Sequence, residues 1–286
     1  MKNLGNKLNL NKLDLNTIDQ QLELPNNFPK YGLYIKKNFI NLDLIFELKK
    51  SIENIMSGKY STKIRPDRVK YFEKNSNPNS FAHSICNGWK SDNWLKDFLT
   101  GNQFGKLAKE ICDWDNVKLN QDSLFIVPPY TGTTSFHQDN AYQQWHTSSG
   151  GIITAWLAVT EIQKDSGGVA YLLGSHMDDT QLEMLSGNFL DSKSGPLSEA
   201  QLQLGRNFEK YQLYTPKLNP GDVIIHHGKI WHGSTINESE INRVSLSVHM
   251  MDGESKFSEI DVNPVYNKYK LEGSSEMHTS FFPIIN

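Results

Sequence analysis

The sequence predicts a mainly β protein with flanking helices, whose strands close into a jelly roll or barrel. Three observations carry this. Apolar residues recur at helical spacing in the first 111 residues, short candidate strands crowd the chain beyond Lys118, and turn signals separate those strands. A chain of 286 residues exceeds the usual domain size, yet β-barrels and sandwiches fill such a length as one unit.

Residues 1–24 are rich in Lys and Asn, lack the continuous apolar core of a signal peptide, and read as an N-terminal extension to one domain spanning 25–286. Between Asn41 and Met56, Leu42, Leu44, Ile45, Leu48, Ile52 and Ile55 fall on one helical face. Trp94 to Ile111 repeats the pattern with Leu95, Phe98, Leu99, Leu107 and Ala108. These helices are expected to cover the outside of a sheet. The strand candidates are Leu124 to Val127, Ile152 to Val159, Val169 to Leu173, Val223 to His226 and Val244 to Met250. Pro128-Pro129, Gly150-Gly151, Gly167-Gly168 and Pro220-Gly221-Asp222 supply the turns between them. One long polar stretch, 178–212, is too long for an ordinary connection and reads as a lid insertion.

Composition narrows the function classes. Hydrophobic residues make up 37% and aromatics 11%, enough for a core, and a formal net charge of -3 gives no reason to expect a nucleic-acid partner. Cys86 and Cys112 are the only cysteines and lack zinc-type spacing, so they read as reduced thiols of a cytoplasmic protein. No segment approaches the roughly 18 apolar residues of a membrane span.

Chemistry enters with His137-Gln138-Asp139. In an extended chain, residues two apart face the same way, so His137 and Asp139 can reach one metal while Gln138 points elsewhere. With nine histidines in the chain, this pair alone is a weak signal. A second imidazole comes from the stretch Pro220 to Ser234, a turn, an apolar run and then His beside Gly. His226, His227 and His232 compete there. His232 is preferred, because Gly233 allows close approach and Ser234 returns a hydroxyl to the same face; His226 reads as an ordinary hydrogen-bonded strand residue. In Arg243 to His249, apolar residues at 244, 246 and 248 alternate with polar ones, giving a strand with a polar face. A turn between residues 237 and 240 would bring Arg243 beside His232, where its planar fork can bind a carboxylate bidentately. Two His and one carboxylate form the facial ligand set of non-haem Fe(II) sites that use an organic acid as co-substrate.

His137-x-Asp139, His232-Gly-Ser234 and Arg243, with His227 five residues before His232, together resemble the phytanoyl-CoA dioxygenase family of Fe(II)/2-oxoglutarate oxygenases. Gly32-Leu33-Tyr34-Ile35, Trp156 to Val159 and Gly174-Ser175-His176 extend the resemblance over Tyr31 to Met251. It implies a double-stranded β-helix core of the jelly-roll, cupin-like type, with Fe(II) held by His137, Asp139 and His232. It also implies 2-oxoglutarate bound by Arg243 with help from Ser234, Trp156 lining that pocket and Ser245 a further contact. O2 would be consumed, and ascorbate would support activity in vitro. Asp139 favours hydroxylation over halogenation, since related halogenases carry a small residue in place of this carboxylate.

The substrate is a small molecule, read more thinly. Tyr142, Trp145, Trp89 and Tyr130 are candidates for a flat-walled pocket, and Arg65, Arg68 and Lys70 for contacts to an anionic group. Competing classes are a nucleic-acid demethylase and a non-catalytic jelly-roll binding module. The first would carry a second Arg six positions after Arg243, where this chain has His249.

Overall fold

Side-chain caps set the starts of the longer helices. Asp14 accepts from Thr17 N (3.0 Å) ahead of α1 (Leu15–Leu22), and after the short α2 (Phe28–Tyr31), Asn41 accepts from Leu44 N (2.9 Å) ahead of α3 (Leu42–Met56). Asp92 does the same for Leu95 N (2.9 Å) at the head of α4 (Asn93–Thr100). The single helical stretch expected from 94 to 111 is two helices, because Gly101 adopts extended backbone between α4 and α5 (Asn102–Lys109). Gln103 Nε2 donates to the carbonyl of Phe98 in the last turn of α4 at 3.0 Å and stabilises the break. The computed structural model describes residues 14–70, 82–132, 134–141, 145–146, 151–178, 205–258 and 264–286. The expected lid at 178–212 lies largely outside the described residues.

Thirteen strands occur among the described residues: β1 (Leu33–Lys36), β2 (Arg68–Lys70), β3 (His83–Cys86), β4 (Val117–Val127), β5 (Thr134–His137), β6 (Trp145–His146), β7 (Ile152–Ala158), β8 (Val169–Leu173), β9 (Gln212–Tyr214), β10 (Val223–His227), β11 (His232–Ser234), β12 (Arg243–Asp252) and β13 (Lys256–Phe257). All pairings between them are antiparallel. A seven-stranded sheet runs β1-β10-β7-β12-β4-β3-β2, and a four-stranded sheet runs β5-β11-β8-β9. This is the double-stranded β-helix of a jelly roll, with strands passing alternately between two facing sheets. β6 and β13 pair separately, near the last helix, α6 (Pro264–Asn267).

The five strands expected from the sequence all form, and three of them run past their expected ends, β10 by one residue. β4 extends back to Val117 and β12 on to Asp252, because each is the other's partner over ten residue pairs. β2, β3 and β9 carry no strong alternation and form by adding to strands already in place.

One face of the larger sheet packs against α3, α4 and α5. Ile45, Leu48, Ile52, Leu95, Phe104 and Leu107 meet Leu119, Leu124, Leu246, Val248 and Met250, all buried, each contributing about 1.5–3 kcal/mol. The opposite face meets the smaller sheet, where Leu33, Ile35, Trp156, Ala158 and Ile224 pack with Tyr171, Leu173 and Tyr214. Ile18 and Leu22 of α1 join this second cluster, so the extension read at 1–24 contributes its described helix to the core. Since Leu246, Val248 and Met250 face the helices, Arg243, Ser245, Ser247 and His249 line the space between the sheets. No helix among the described residues is long and apolar enough to cross a membrane.

Candidate metal centre

His137 ends β5 and pairs in register with His232 at the start of β11, which also pairs with Tyr171 of β8. Asp139 follows at the head of a 3-10 turn, Asp139–Ala141. The turn is held by Asn140 N donating to the Gly228 carbonyl (2.9 Å) and Gln138 Nε2 donating to the Lys229 carbonyl, so Gln138 does point away from its neighbours. Glycine is required at 228, since an added Cβ would lie 2.8 Å from the Ile152 backbone carbonyl oxygen as well as against the Asn140 side chain.

The three side chains each offer one donor atom, all within 4.8 Å of one another. Asp139 Oδ1 lies 3.7 Å from His137 Nε2 and 3.7 Å from His232 Nε2. Both histidines turn Nδ1 to a backbone carbonyl, His137 to Ser135 (2.9 Å) and His232 to Ile230 (3.0 Å). Nδ1 therefore carries the proton and donates, leaving each Nε2 lone pair aimed into the cluster. Burial pushes both imidazoles down to about 4, so they are neutral, as ligands must be. For Asp139, burial acts to raise the carboxyl, but His232, His226 and His249 outweigh it and hold it well below the usual carboxylate range. Two neutral nitrogens and one carboxylate oxygen at this spacing fit a divalent first-row metal.

Asp139 Oδ2 points the other way. It accepts from Thr154 Oγ1 (2.6 Å) and His226 Nε2 (3.1 Å), and Thr154 Oγ1 in turn accepts from His249 Nδ1 (2.8 Å). His226 is thus far more than an ordinary strand residue. Its local sequence gave no hint, because the contact depends on β7 lying between β10 and β12. His249 was legible, since it shares the parity of Arg243. His227, one residue on, faces away and packs by Phe28 and His176.

Arg243 is buried, with Nε and Nη1 unpartnered among the described residues, and Ser234 Oγ and Ser245 Oγ are likewise buried without a partner. Burial alone lowers the guanidinium to about 10, so it stays charged. Buried donors left unpaired are costly, and a bound carboxylate would satisfy them. Trp156 is buried in the inter-sheet cluster and pairs with Ser247.

The expected substrate wall fares differently. Trp89 lies in the larger core under the helices, on the side of the sheet away from Arg243, where packing explains it. Tyr130 is exposed at a left-handed φ of 59° and donates its hydroxyl to Glu240. Tyr142 and the side chains of Trp145 and Lys70 lie outside the described residues. Arg65 and Arg68 are exposed.

Three comparisons bear on this geometry. Among solved structures, the non-heme alpha ketoglutarate dependent carbocyclase SnoK from nogalamycin biosynthesis is similar with a TM-score of 0.72 at 15% identity, over 92% of this chain and 96% of that one. The epimerase SnoN, solved in complex with Fe3+, alpha ketoglutarate and nogalamycin RO, gives 0.68 at 15% identity, over 94% and 100%. At such identity the likeness speaks for the fold. A phytanoyl-CoA dioxygenase domain-containing protein 1 homolog of Caenorhabditis briggsae is 22% identical over 129 residues, 45% of this chain and 44% of that protein, so the chain spans less than half the length of this relative. The model of the family described as Phytanoyl-CoA dioxygenase (PhyH) matches residues 28–245, from α2 to the first three residues of β12, Arg243 to Ser245, and the chain therefore belongs to that family.

Proposed function

We propose that this chain is an Fe(II)- and 2-oxoglutarate-dependent dioxygenase that hydroxylates an unactivated C–H bond of a small molecule, in natural-product tailoring or small-metabolite metabolism. The observation that carries this reading is the combination of the His137, Asp139 and His232 donor set with the unpartnered buried donors of Arg243, Ser234 and Ser245 in one inter-sheet space. In this reading His137, Asp139 and His232 hold the iron on one face. Arg243 pairs with the far carboxylate of 2-oxoglutarate, Ser234 and Ser245 donate to it, and Trp156 walls the pocket and excludes water. When bound, iron and 2-oxoglutarate supply an oxidation that divides O2, one oxygen atom entering succinate as CO2 is lost and the other entering the substrate.

A second outcome on the same scaffold is supported by the neighbours named above, a carbocyclase and an epimerase. Cyclisation, desaturation or epimerisation would need the same ligands and differ in substrate pose. Fatty-acyl-CoA hydroxylation is a further option within the family, and a non-catalytic binding module the alternative outside it. The test is succinate formation by purified protein with Fe(II), ascorbate and 2-oxoglutarate under air, alone and with a metabolite panel. Stimulation by one compound, with a product gaining one oxygen atom, is the expected result. A product lacking two hydrogens, or isomeric with its substrate, would replace hydroxylation by the second outcome. No succinate with iron bound would favour the binding module.

A further inference from the structure

We infer that His226 is a positioning residue that keeps Asp139 a one-oxygen ligand. The inference rests on the metal-centre reading above and concerns a residue outside the ligand set. Asp139 has two oxygens with different surroundings. Oδ1 faces His137 Nε2 and His232 Nε2, 3.7 Å from each, whereas Oδ2 accepts from Thr154 Oγ1 at 2.6 Å and His226 Nε2 at 3.1 Å. All of these side chains are buried.

His226 is itself oriented. It sits on β10 in register with Thr154 of β7, and its Nδ1 faces Tyr171 Oη at 3.4 Å. Because Nε2 faces a carboxylate, Nε2 carries the proton, and Nδ1 is the acceptor for the Tyr171 hydroxyl. Tyr171 also packs on the ring of His232, centroids 5.8 Å apart, so one aromatic side chain sets both a proposed ligand and the group that steers another. A neutral imidazole held this way cannot turn its N–H elsewhere without breaking two buried contacts.

The consequence concerns coordination number. A carboxylate free to rotate could offer both oxygens to a six-coordinate metal and occupy four positions together with the imidazoles. With Oδ2 engaged by Thr154 and His226, Asp139 offers Oδ1 alone and three positions stay open. A co-substrate that takes two positions and O2 that takes one need all three. Hydrogen bonds to ligating carboxylates typically change metal affinity 10–100-fold when removed, on the order of the effect expected here.

The experiment is titration of the metal-free protein with Co(II), following affinity and the visible absorption of the bound ion, for wild type, Asp139→Ala, His226→Leu and His226→Gln. Gln retains an N–H donor and Leu does not. His226→Leu is expected to change Co(II) affinity roughly 10-fold or more and to shift the spectrum toward that of a two-oxygen carboxylate ligand, while His226→Gln recovers most of both. Wild-type affinity and an unchanged spectrum in His226→Leu, with Asp139→Ala abolishing binding, would overturn the role of His226 and leave the metal centre standing. Absence of Co(II) binding by wild type would overturn both. Should His226→Leu fail to fold, infrared carboxylate stretches of wild type loaded with Zn(II) decide the matter, a one-oxygen splitting being expected and a two-oxygen splitting fatal.

Discussion

His137 and His232 stand opposite one another across the β5–β11 ladder, their ring centroids 4.3 Å apart, each with Nδ1 tied to the carbonyl two residues before it. The repeated tie means that the backbone of each strand end, and not a distant side chain, aims the two Nε2 atoms at one point. Asp139 completes that point from the turn that leaves β5. Because backbone ties hold the two imidazoles, removing Asp139 leaves the other two donors in place with too few contacts for a metal.

Asp139→Ala should therefore fold but lose metal. The expected result is loss of more than about 100-fold in affinity for a divalent probe ion, with little change in far-ultraviolet circular dichroism. Calorimetric titration of the metal-free protein measures it, and near-wild-type affinity would take Asp139 out of the ligand set.

Arg243→Leu should act on the co-substrate. Leaving a buried carboxylate unpaired costs about 2–5 kcal/mol, which raises the apparent constant for 2-oxoglutarate at least about 30-fold. Metal affinity should stay within threefold or so of wild type, because Arg243 touches none of the three donors in this structure; about threefold is under 1 kcal/mol. Ser234→Ala, which removes one neutral donor, should cost nearer 1 kcal/mol. Succinate formation against 2-oxoglutarate concentration separates the two, and an unchanged constant in Arg243→Leu would mean that another group anchors the acid.

The pH dependence of stability has a local source in His227 and His176, whose rings lie 5.1 Å apart. Burial, then the charges of His176 and Lys229, push His227 down to about 3, and burial lowers His176. In the unfolded chain both titrate near 6.5. Between those values the unfolded chain binds protons that the folded chain refuses, so stability is fully present above about pH 6.5 and falls as pH drops toward 3. His227→Gln should remove up to about one proton from this linkage. Denaturant midpoints of the metal-free protein at pH 7.5 and 5 measure it; equal slopes in variant and wild type would place the linkage elsewhere, His137 and His232 being the next candidates.

The sequence displayed the parts of the site that depend on spacing within one short stretch of chain. His137 and Asp139 are two apart, His232 and Ser234 are two apart, and the alternation from Arg243 to His249 is visible by eye. It hid the parts that depend on strand order. Thr154 and His226 meet Asp139 because β10, β7 and β12 are neighbours, an order in which sequence neighbours are not sheet neighbours. Trp89, offered with Tyr130, Tyr142 and Trp145 for a flat-walled pocket, is placed by contacts of the same kind: Gly88 N and Trp89 N both donate to Asp122, at 3.0 Å each, and the ring packs in the core under the helices.

A buried ion pair outside the proposed ligand set gives the clearest stability test. Asp67 accepts from Lys90 Nζ (2.7 Å) and Asn87 Nδ2 (2.7 Å) on Oδ2, and from Lys268 Nζ (2.8 Å) and the Tyr269 hydroxyl on Oδ1. Lys90 and Asp67 are 10% and 4% exposed, whereas Lys268 is 51% exposed. The two lysines bond the same carboxylate at nearly the same length, so geometry alone would rank them equal. Desolvation separates them. Without Lys90 the carboxylate remains buried with one solvent-screened cation, at a cost of about 3–5 kcal/mol; without Lys268 the cost is about 0–1 kcal/mol. Lys90 also joins this carboxylate to the C-terminal segment through the Tyr269 hydroxyl at 2.8 Å and lies 4.0 Å from that ring's centroid, contacts that Lys90→Met would lose as well. Denaturant unfolding of Lys90→Met and Lys268→Met should therefore differ by several-fold in lost stability. Equal losses would mean that Asp67 is held by its neutral donors, Asn87 and Tyr269, and that the buried charge pair contributes little.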